Sequence, residues 1–331
     1  MPVKPPTRRS YGARRARQRV RALLLTSALV FGAVLSGSVL AGTAAAAPTY
    51  RFHKLGSNSD PTFNQLLGIN LDGVISGYFG SGNAGHPNQG YLLHPPYNQD
   101  SFVAENFPTA VQTQVTGLND RGVTVGFYSH TNNVNLVNEN VGFYEIRGSF
   151  HAVKFPTSDN SAPPVNQLLG VNDDNVAVGF YTDSAGNSHG YTYNIGTGQF
   201  QAVTLPGKAT SNTGTAINND GDVAGFATAD GAAEAFLLQS NGHLKVLKFP
   251  GADSTQAFGV NDSDEVVGQY TVGTAIHGFT WTPTQGFATV DDPGGVGTTT
   301  INGVDDFGEL VGFYTDSAGN VDGMLATPVT P

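Results

Sequence analysis

His130, Glu139 and Asp159 are acid–base side chains that fall in the longest variable segments of the chain and have no counterpart in its internal repeat. A histidine and two carboxyl groups brought together there could supply the proton donor and acceptor of a hydrolase or lyase. A second set is aromatic. Phe79, Tyr128, Tyr181, Tyr270 and Tyr314 each lie two residues after a recurring glycine, and the sixth such position is Ala227. Rings with a polar tip suit sugars and peptide side chains, and with His130 they form the candidate ligand-binding set. Recurrence at one position is also what packing between repeats produces, so both roles stay open. Asp183 and Asp316 sit in identical Tyr-Thr-Asp-Ser-Ala-Gly-Asn segments that would lie on opposite sides of a six-fold ring, too far apart for the carboxylate pair of glycoside hydrolysis. An Asx turn explains them. The sequence holds no Gly-x-Ser-x-Gly elbow, phosphate loop, His-Glu-x-x-His or EF-hand loop. Its eight histidines show no metal-ligand spacing, so neither metal nor cofactor is expected.

The elements that must position these side chains are written in a nine-residue interval. Gly68, Gly117, Gly170, Ala216, Gly259 and Gly303 are each followed nine residues later by Gly77, Gly126, Gly179, Gly225, Gly268 and Gly312, with a mean period of 47 residues. Each period holds four short segments rich in β-branched and aromatic residues, bounded by Asn, Asp, Gly or Pro. Asn172-Asp173-Asp174-Asn175 reads as a tight hairpin turn rather than a metal loop, because such turns need residues that tolerate left-handed backbone. Six copies of three strands are present, but the fourth strand follows in only five: Phe102–Phe107, Phe150–Phe155, Phe200–Leu205, Leu244–Phe249 and Phe287–Asp292. The missing strand matches Tyr50–Leu55, at the other end of the chain. Complementary ends close a ring and remove a sticky edge. The fold class expected is therefore all-β, a six-bladed propeller of four-stranded blades whose N-terminal strand closes the last blade, in preference to a linear solenoid. Repeat cores fall near 66–107, 115–155, 167–205, 214–249, 257–292 and 300–327 plus 50–55. The lone Trp281 belongs to the third strand of blade five and to the core.

Loop lengths separate two faces. The spacing from first to second strand is invariant, whereas the second-to-third and fourth-to-next connections vary and emerge together. The long segments Gly80–Gln89, Ser129–Val141 and Thr157–Gln167 gather on blades one to three, and variable loops on a rigid scaffold are where binding resides.

Residues 1–47 read as a secretory signal: a basic head, an uncharged stretch from Ala22 to Leu40 and the small-residue run Ala44–Ala47. An uncleaved anchor is the alternative, diluted by Gly, Ser and Thr. Arg8-Arg9 lie far from the apolar core, which favours general secretion over the twin-arginine route. Residues 48–331 form one domain. They carry eight basic against 26 acidic side chains, a formal charge of −18 rather than the −10 of the whole chain. That field repels nucleic acid and polyanions. With no cysteine, disulfides and a lipoprotein anchor are excluded.

The repeated Gly-(Val/Leu/Ile)-Asn-Asp followed by Val-Gly-x-Tyr, with His189-Gly190-Tyr191 or His277-Gly278-Phe279, resembles the bacterial extracellular HAF-repeat proteins over essentially the whole chain after residue 47. The resemblance implies secretion and a β-rich ring, not an activity. The histidine position is Gln89, Val141, Glu234 and Asp322 in the other copies, which argues against a repeated catalytic histidine. Three readings follow. One is a secreted, monomeric, non-catalytic module that binds a neutral glycan or an extracellular protein through the long-loop face, with no nucleic-acid partner and no membrane after cleavage. The second is a secreted polysaccharide-active hydrolase or lyase with its site on that face. The third is a structural envelope protein.

Overall fold

The computed structural model describes residues 49–83, 85–131, 139–157, 165–206, 211–229 and 231–329. Within them the chain forms six four-stranded antiparallel sheets, a six-bladed β-propeller. The first strands are Asn64–Ile69, Gln112–Leu118, Asn166–Val171, Ser211–Ile217, Ser254–Val260 and Thr300–Val304. Five blades run first to fourth strand in sequence order. In the sixth, Tyr50–Leu55 pairs antiparallel with Val321–Pro328 as the outer strand. The closure expected from the sequence is therefore present. Fourth strands are shorter than expected, Phe102–Ala104 and Gly286–Thr289 for example; they end before the Phe-Pro or Asp-Pro step that leads into the next blade. One short 3-10 turn, Gln99–Ser101, is the helical structure among the described residues, and none of it is long and apolar enough to cross a membrane. The segment read as a secretory signal lies outside the described residues.

The glycine columns have a steric cause. In each blade the register shifts by one residue just before the first-column glycine, as between Leu66 and Gly68, a bulge that bends the inner strand. There the inner strands of neighbouring blades touch: a Cβ on Gly117 would lie 3.0 Å from the Gly170 Cα. The second column meets its own sheet, since a Cβ on Gly179 would lie 1.9 Å from the Gln167 carbonyl oxygen. The turn between first and second strands closes on a left-handed residue, Gly122 (φ 76°) in blade two but Asn175 (φ 58°) in blade three and Asp264 (φ 60°) in blade five. Asn and Asp tolerate that geometry, which explains why the turn keeps its length without a glycine.

Apolar packing lies within and between blades. One cluster joins Ala235 and Leu247 of blade four to Val266, Phe279 and Trp281 of blade five. Trp281 is thus core, as expected. Polar links reinforce the junctions along the central channel. At the bulge positions Thr116 and Thr215 donate hydroxyl hydrogens to the Leu168 and Ala257 carbonyls at 2.8 and 2.9 Å, and Asn302 Nδ2 reaches the Leu66 carbonyl at 2.9 Å.

Two belts of side chains encircle the channel on the short-turn face. In the inner belt each turn's first asparagine donates through Nδ2 to the equivalent carbonyl of the next blade: Asn70 to Asn119 (3.2 Å), Asn119 to Asn172 (2.8 Å), Asn172 to Asn218 (3.0 Å), Asn218 to Asn261 (3.2 Å) and Asn261 to Asp305 (2.9 Å). In the second belt the backbone N–H of Leu71, Asp120, Asp173, Asn219 and Asp262 is accepted by Oδ1 of the following blade's residue, ending on Asp306, at 2.8–3.0 Å. Buried peptide groups left over at the turns are thereby satisfied.

Candidate functional site

The recurring aromatics are placed by the same junctions. Phe107 ends blade one and stacks on Tyr128 of blade two with centroids 3.8 Å apart; Phe155 lies 4.3 Å from Tyr181 and Phe249 3.6 Å from Tyr270. Where the preceding residue is Leu205, the ring is replaced by Ala227, and both pack in one cluster. Phe79 packs in the cluster that includes Leu55. Tyr314 is buried, and burial followed by the charges of Asp292 and Asp322 pushes its phenol up to about 12. Tyr128, Tyr181 and Tyr270 therefore each spend a face on the neighbouring blade, and what they can offer a ligand is an edge. Offset and parallel stacks of this kind contribute about 1 kcal/mol beyond buried area.

The edge of Tyr128 opens on a recess of about 110 Å³ between blades one and two. Asn88, Gln112, Gln114, Ser129 and Asn140 line it together with Phe127 and Tyr128. No lining residue is charged. Asn88 and Asn140 end the second-to-third connections of the two blades, so the recess lies at the base of the long loops on the variable face. Its amides are held in place: Gln114 Nε2 donates to Asn88 Oδ1 (3.1 Å), Asn88 Nδ2 to the Gly80 carbonyl (2.6 Å) and Gln112 Nε2 to the Thr131 carbonyl (2.7 Å). Gln167 of blade three donates to Asn140 Oδ1 at 2.9 Å and ties a third blade to the rim.

His130 and Glu139 gather at the same place. The His130 ring meets Tyr128 edge-on at 5.3 Å, and Glu139 is near enough for its charge to add to the burial that raises the Tyr128 phenol. Asp159, by contrast, lies outside the described residues, as do parts of the loops that carry these three.

Sequence reasoning missed three histidine–aspartate pairs. His189 Nε2 lies 2.8 Å from Asp183 Oδ2, His277 Nδ1 2.7 Å from Asp291 Oδ2 and His86 Nδ1 3.2 Å from Asp60 Oδ2. His189 and His277 also stack on Tyr181 and Tyr270. Asp183 still makes the expected Asx turn, accepting from the Ala185 and Asn187 N–H groups. The contact with His189, followed by those bonds, holds its carboxyl well below the usual range. A histidine two residues after the turn was the available signal.

A second opening, about 100 Å³, lies where all six short turns converge at the other mouth of the channel. Asp120, Asp173, Asp262 and Asp306 meet there. Asn219 Nδ2 lies 3.5 Å from Asp173 Oδ2 and 2.9 Å from Asp262 Oδ2, so one amide spans two carboxylates. Burial and then the charge of Asp120 raise the Asp173 carboxyl. Among the described residues no three His, Asp or Glu side chains are arranged to hold a metal ion.

No protein-family model matches the chain, and neither does any curated protein. Solved structures do. A protein described as a TolB of Agrobacterium tumefaciens superposes with a TM-score of 0.54 at 13% identity, covering 81% of this chain and 92% of that one. The TolB of Acinetobacter baumannii gives a TM-score of 0.49 at 14% identity, covering 68% of this chain but only 53% of its own length. A gluconolactonase of Xanthomonas campestris gives 0.49 at 10% identity, covering 85% and 90%. At 13% identity the likeness to the Agrobacterium tumefaciens protein supports the propeller fold alone.

Proposed function

We propose that this chain is a secreted, extracellular propeller of the HAF-repeat class that binds a neutral glycan or an extracellular protein through its long-loop face, as a monomer and without transforming the ligand. The observation that supports this reading is the recess beside Tyr128. Five uncharged polar side chains surround an aromatic edge, and fixed amides around a ring suit the hydroxyl and acetamido groups of a neutral sugar. The acidic balance of the chain disfavours polyanionic ligands. Phe79, Tyr181, Tyr270 and Tyr314 then act as supports of the face, with Tyr128 and His130 at the site itself.

The test is retention on immobilised neutral polysaccharides with released product assayed in parallel. Gln114→Ala and Tyr128→Phe should each weaken retention roughly tenfold, the range of a lost well-placed contact, while no product forms. Retention unchanged in both variants removes the recess from the account. Product release that disappears with His130→Ala, Glu139→Gln or Asp159→Asn replaces binding by catalysis on the same face.

One observation favours a second reading, a polysaccharide-active hydrolase or lyase, and it lies on the opposite face. Asp173 and Asp262 are spanned by one amide, a separation compatible with a glycosidase carboxylate pair. Both carboxylates are also occupied in the belt, each taking a backbone N–H through Oδ1. Product release abolished by Asp173→Asn, and by none of the loop-face variants, would select this reading.

A further inference from the structure

The inner belt has six junctions and five amide links. At the sixth, between blade six and blade one, the asparagine is replaced by Asp305. Its Oδ1 does what each asparagine Oδ1 does, accepting the Phe307 and Glu309 N–H groups at 2.9 and 2.8 Å; Asn261 Oδ1 takes the Ser263 and Glu265 N–H groups in the same way. Those two bonds fix the carboxyl plane, so Oδ2 stands where Nδ2 stands in the other blades. Asp305 is 5% exposed, and its Oδ2 is buried with no hydrogen-bond partner. In the order set by the other five links, the carbonyl due at this position is that of Asn70, which accepts the Gly73 N–H at 2.9 Å within its own turn. Every carbonyl of the belt accepts such a bond; the other five also accept an amide hydrogen from the preceding blade. An ionised Asp305 would set two acceptors against each other in a dry place, which costs free energy on both counts.

We propose that Asp305 is held as the neutral acid and that its Oδ2–H donates to the Asn70 carbonyl, so that a proton supplies the sixth link of the belt and closure of the ring weakens when that proton is lost. The second belt is also incomplete at this junction, because Leu71 has no side-chain oxygen to offer. The seam between blade six and blade one is thus the one that depends on a proton.

The charges around Asp305 act in one direction. On its own turn are Asp306 and Glu309. From blade five comes Glu265, whose Oε2 is 3.8 Å from the Cβ position of Gly308. From blade one comes Tyr97, whose phenol is raised by burial and then by Glu309 and Asp305. Burial, with Glu309 and Asp306 adding, pushes the Asp305 carboxyl up to about 6. An unfolded aspartate titrates near 3.9. The folded value is the higher one, so the contribution is complete below about pH 3.9 and is lost as pH rises through about 6.

Melting temperatures of the protein, of Asp305→Asn and of Asn119→Asp, each at about pH 3.5 and about pH 8, test this. Asp305→Asn keeps the Oδ1 acceptor and supplies a permanent Nδ2 donor. It should melt with the parent at the lower pH and several degrees above it at the higher. Asn119→Asp installs the seam's chemistry at an ordinary junction, and should match the parent at the lower pH and fall below it at the higher. An Asp305→Asn offset that is the same at both pH values, or negative at the higher, overturns the proposal. So does an Asn119→Asp variant equally destabilised at both.

Discussion

Single residues in this fold are constrained by what lies one blade or one strand away. Gly179 shows this most sharply: the Gln167 carbonyl oxygen is 1.9 Å from where a Cβ would sit, and backbone cannot give way cheaply. Gly179→Val should therefore destabilise by about 3 kcal/mol or more, read as a lowered denaturant midpoint; a variant as stable as the parent contradicts the steric account. Tyr128 illustrates the opposite risk. It is 7% exposed and stacked on Phe107, so Tyr128→Ala should cost about 3 kcal/mol as a packing lesion and would confuse loss of fold with loss of ligand. Tyr128→Phe keeps the stack and removes only the hydroxyl, and equal melting of Tyr128→Phe and parent checks that premise. From the sequence these rings could be read either as packing or as recognition. The stacks place the faces of Tyr128, Tyr181 and Tyr270 in packing, because each meets a phenylalanine on the preceding blade, a pairing across repeats that no single repeat displays.

At the scale of elements, the strand Tyr50–Leu55 does the most for its size. It covers the edge of Val321–Pro328 over six paired positions, packs Tyr50 and Phe52 against the last blade's core and brings Lys54 to within 2.6 Å of Asp322. Its removal should lower stability by about 3–5 kcal/mol from lost apolar burial and leave an exposed edge that pairs with other molecules. Size-exclusion chromatography of a chain beginning after residue 55 should show aggregates; a monomer with the parent's melting temperature would contradict the closure. This element was legible in the sequence because counting strands left one short at the C-terminal end and one over at the N-terminal end. The strand ends were less legible. Fourth strands stop before the Phe-Pro step because their last residues are used in packing on the next blade rather than in pairing.

At the scale of the molecule, six near-identical units produce two faces with different chemistry. One mouth of the channel is a rigid ring of turns with carboxylates, tied by the two belts. The other bears the variable loops and an uncharged, amide-lined recess. The sixfold plan could be read from glycine spacing, because close backbone approach forces the same residue at the same place in every copy. The belts could not, since each link joins residues 43–53 positions apart, and only their end products, Asp305 and Leu71, depart from a column of Asn and Asp. The recess was legible as a neighbourhood, the long loops with Tyr128 and His130, but not as a set of amides, because Asn88, Gln112 and Gln114 come from two blades. Two histidine–aspartate pairs were hidden by separation along the chain, 26 residues for Asp60 and His86 and 14 for His277 and Asp291, whereas Asp183 and His189 lie only six apart. The central claim, that ligand is taken on the loop face by uncharged groups, is tested most directly by amide hydrogen exchange. The probe is a neutral oligosaccharide from whichever polysaccharide retains the protein. Protection should appear in 80–89, 112–114, 127–131 and 139–141, with no change in the turns 70–73, 119–122 and 172–175. Protection centred on those turns, or none anywhere while the oligosaccharide is bound, would contradict it.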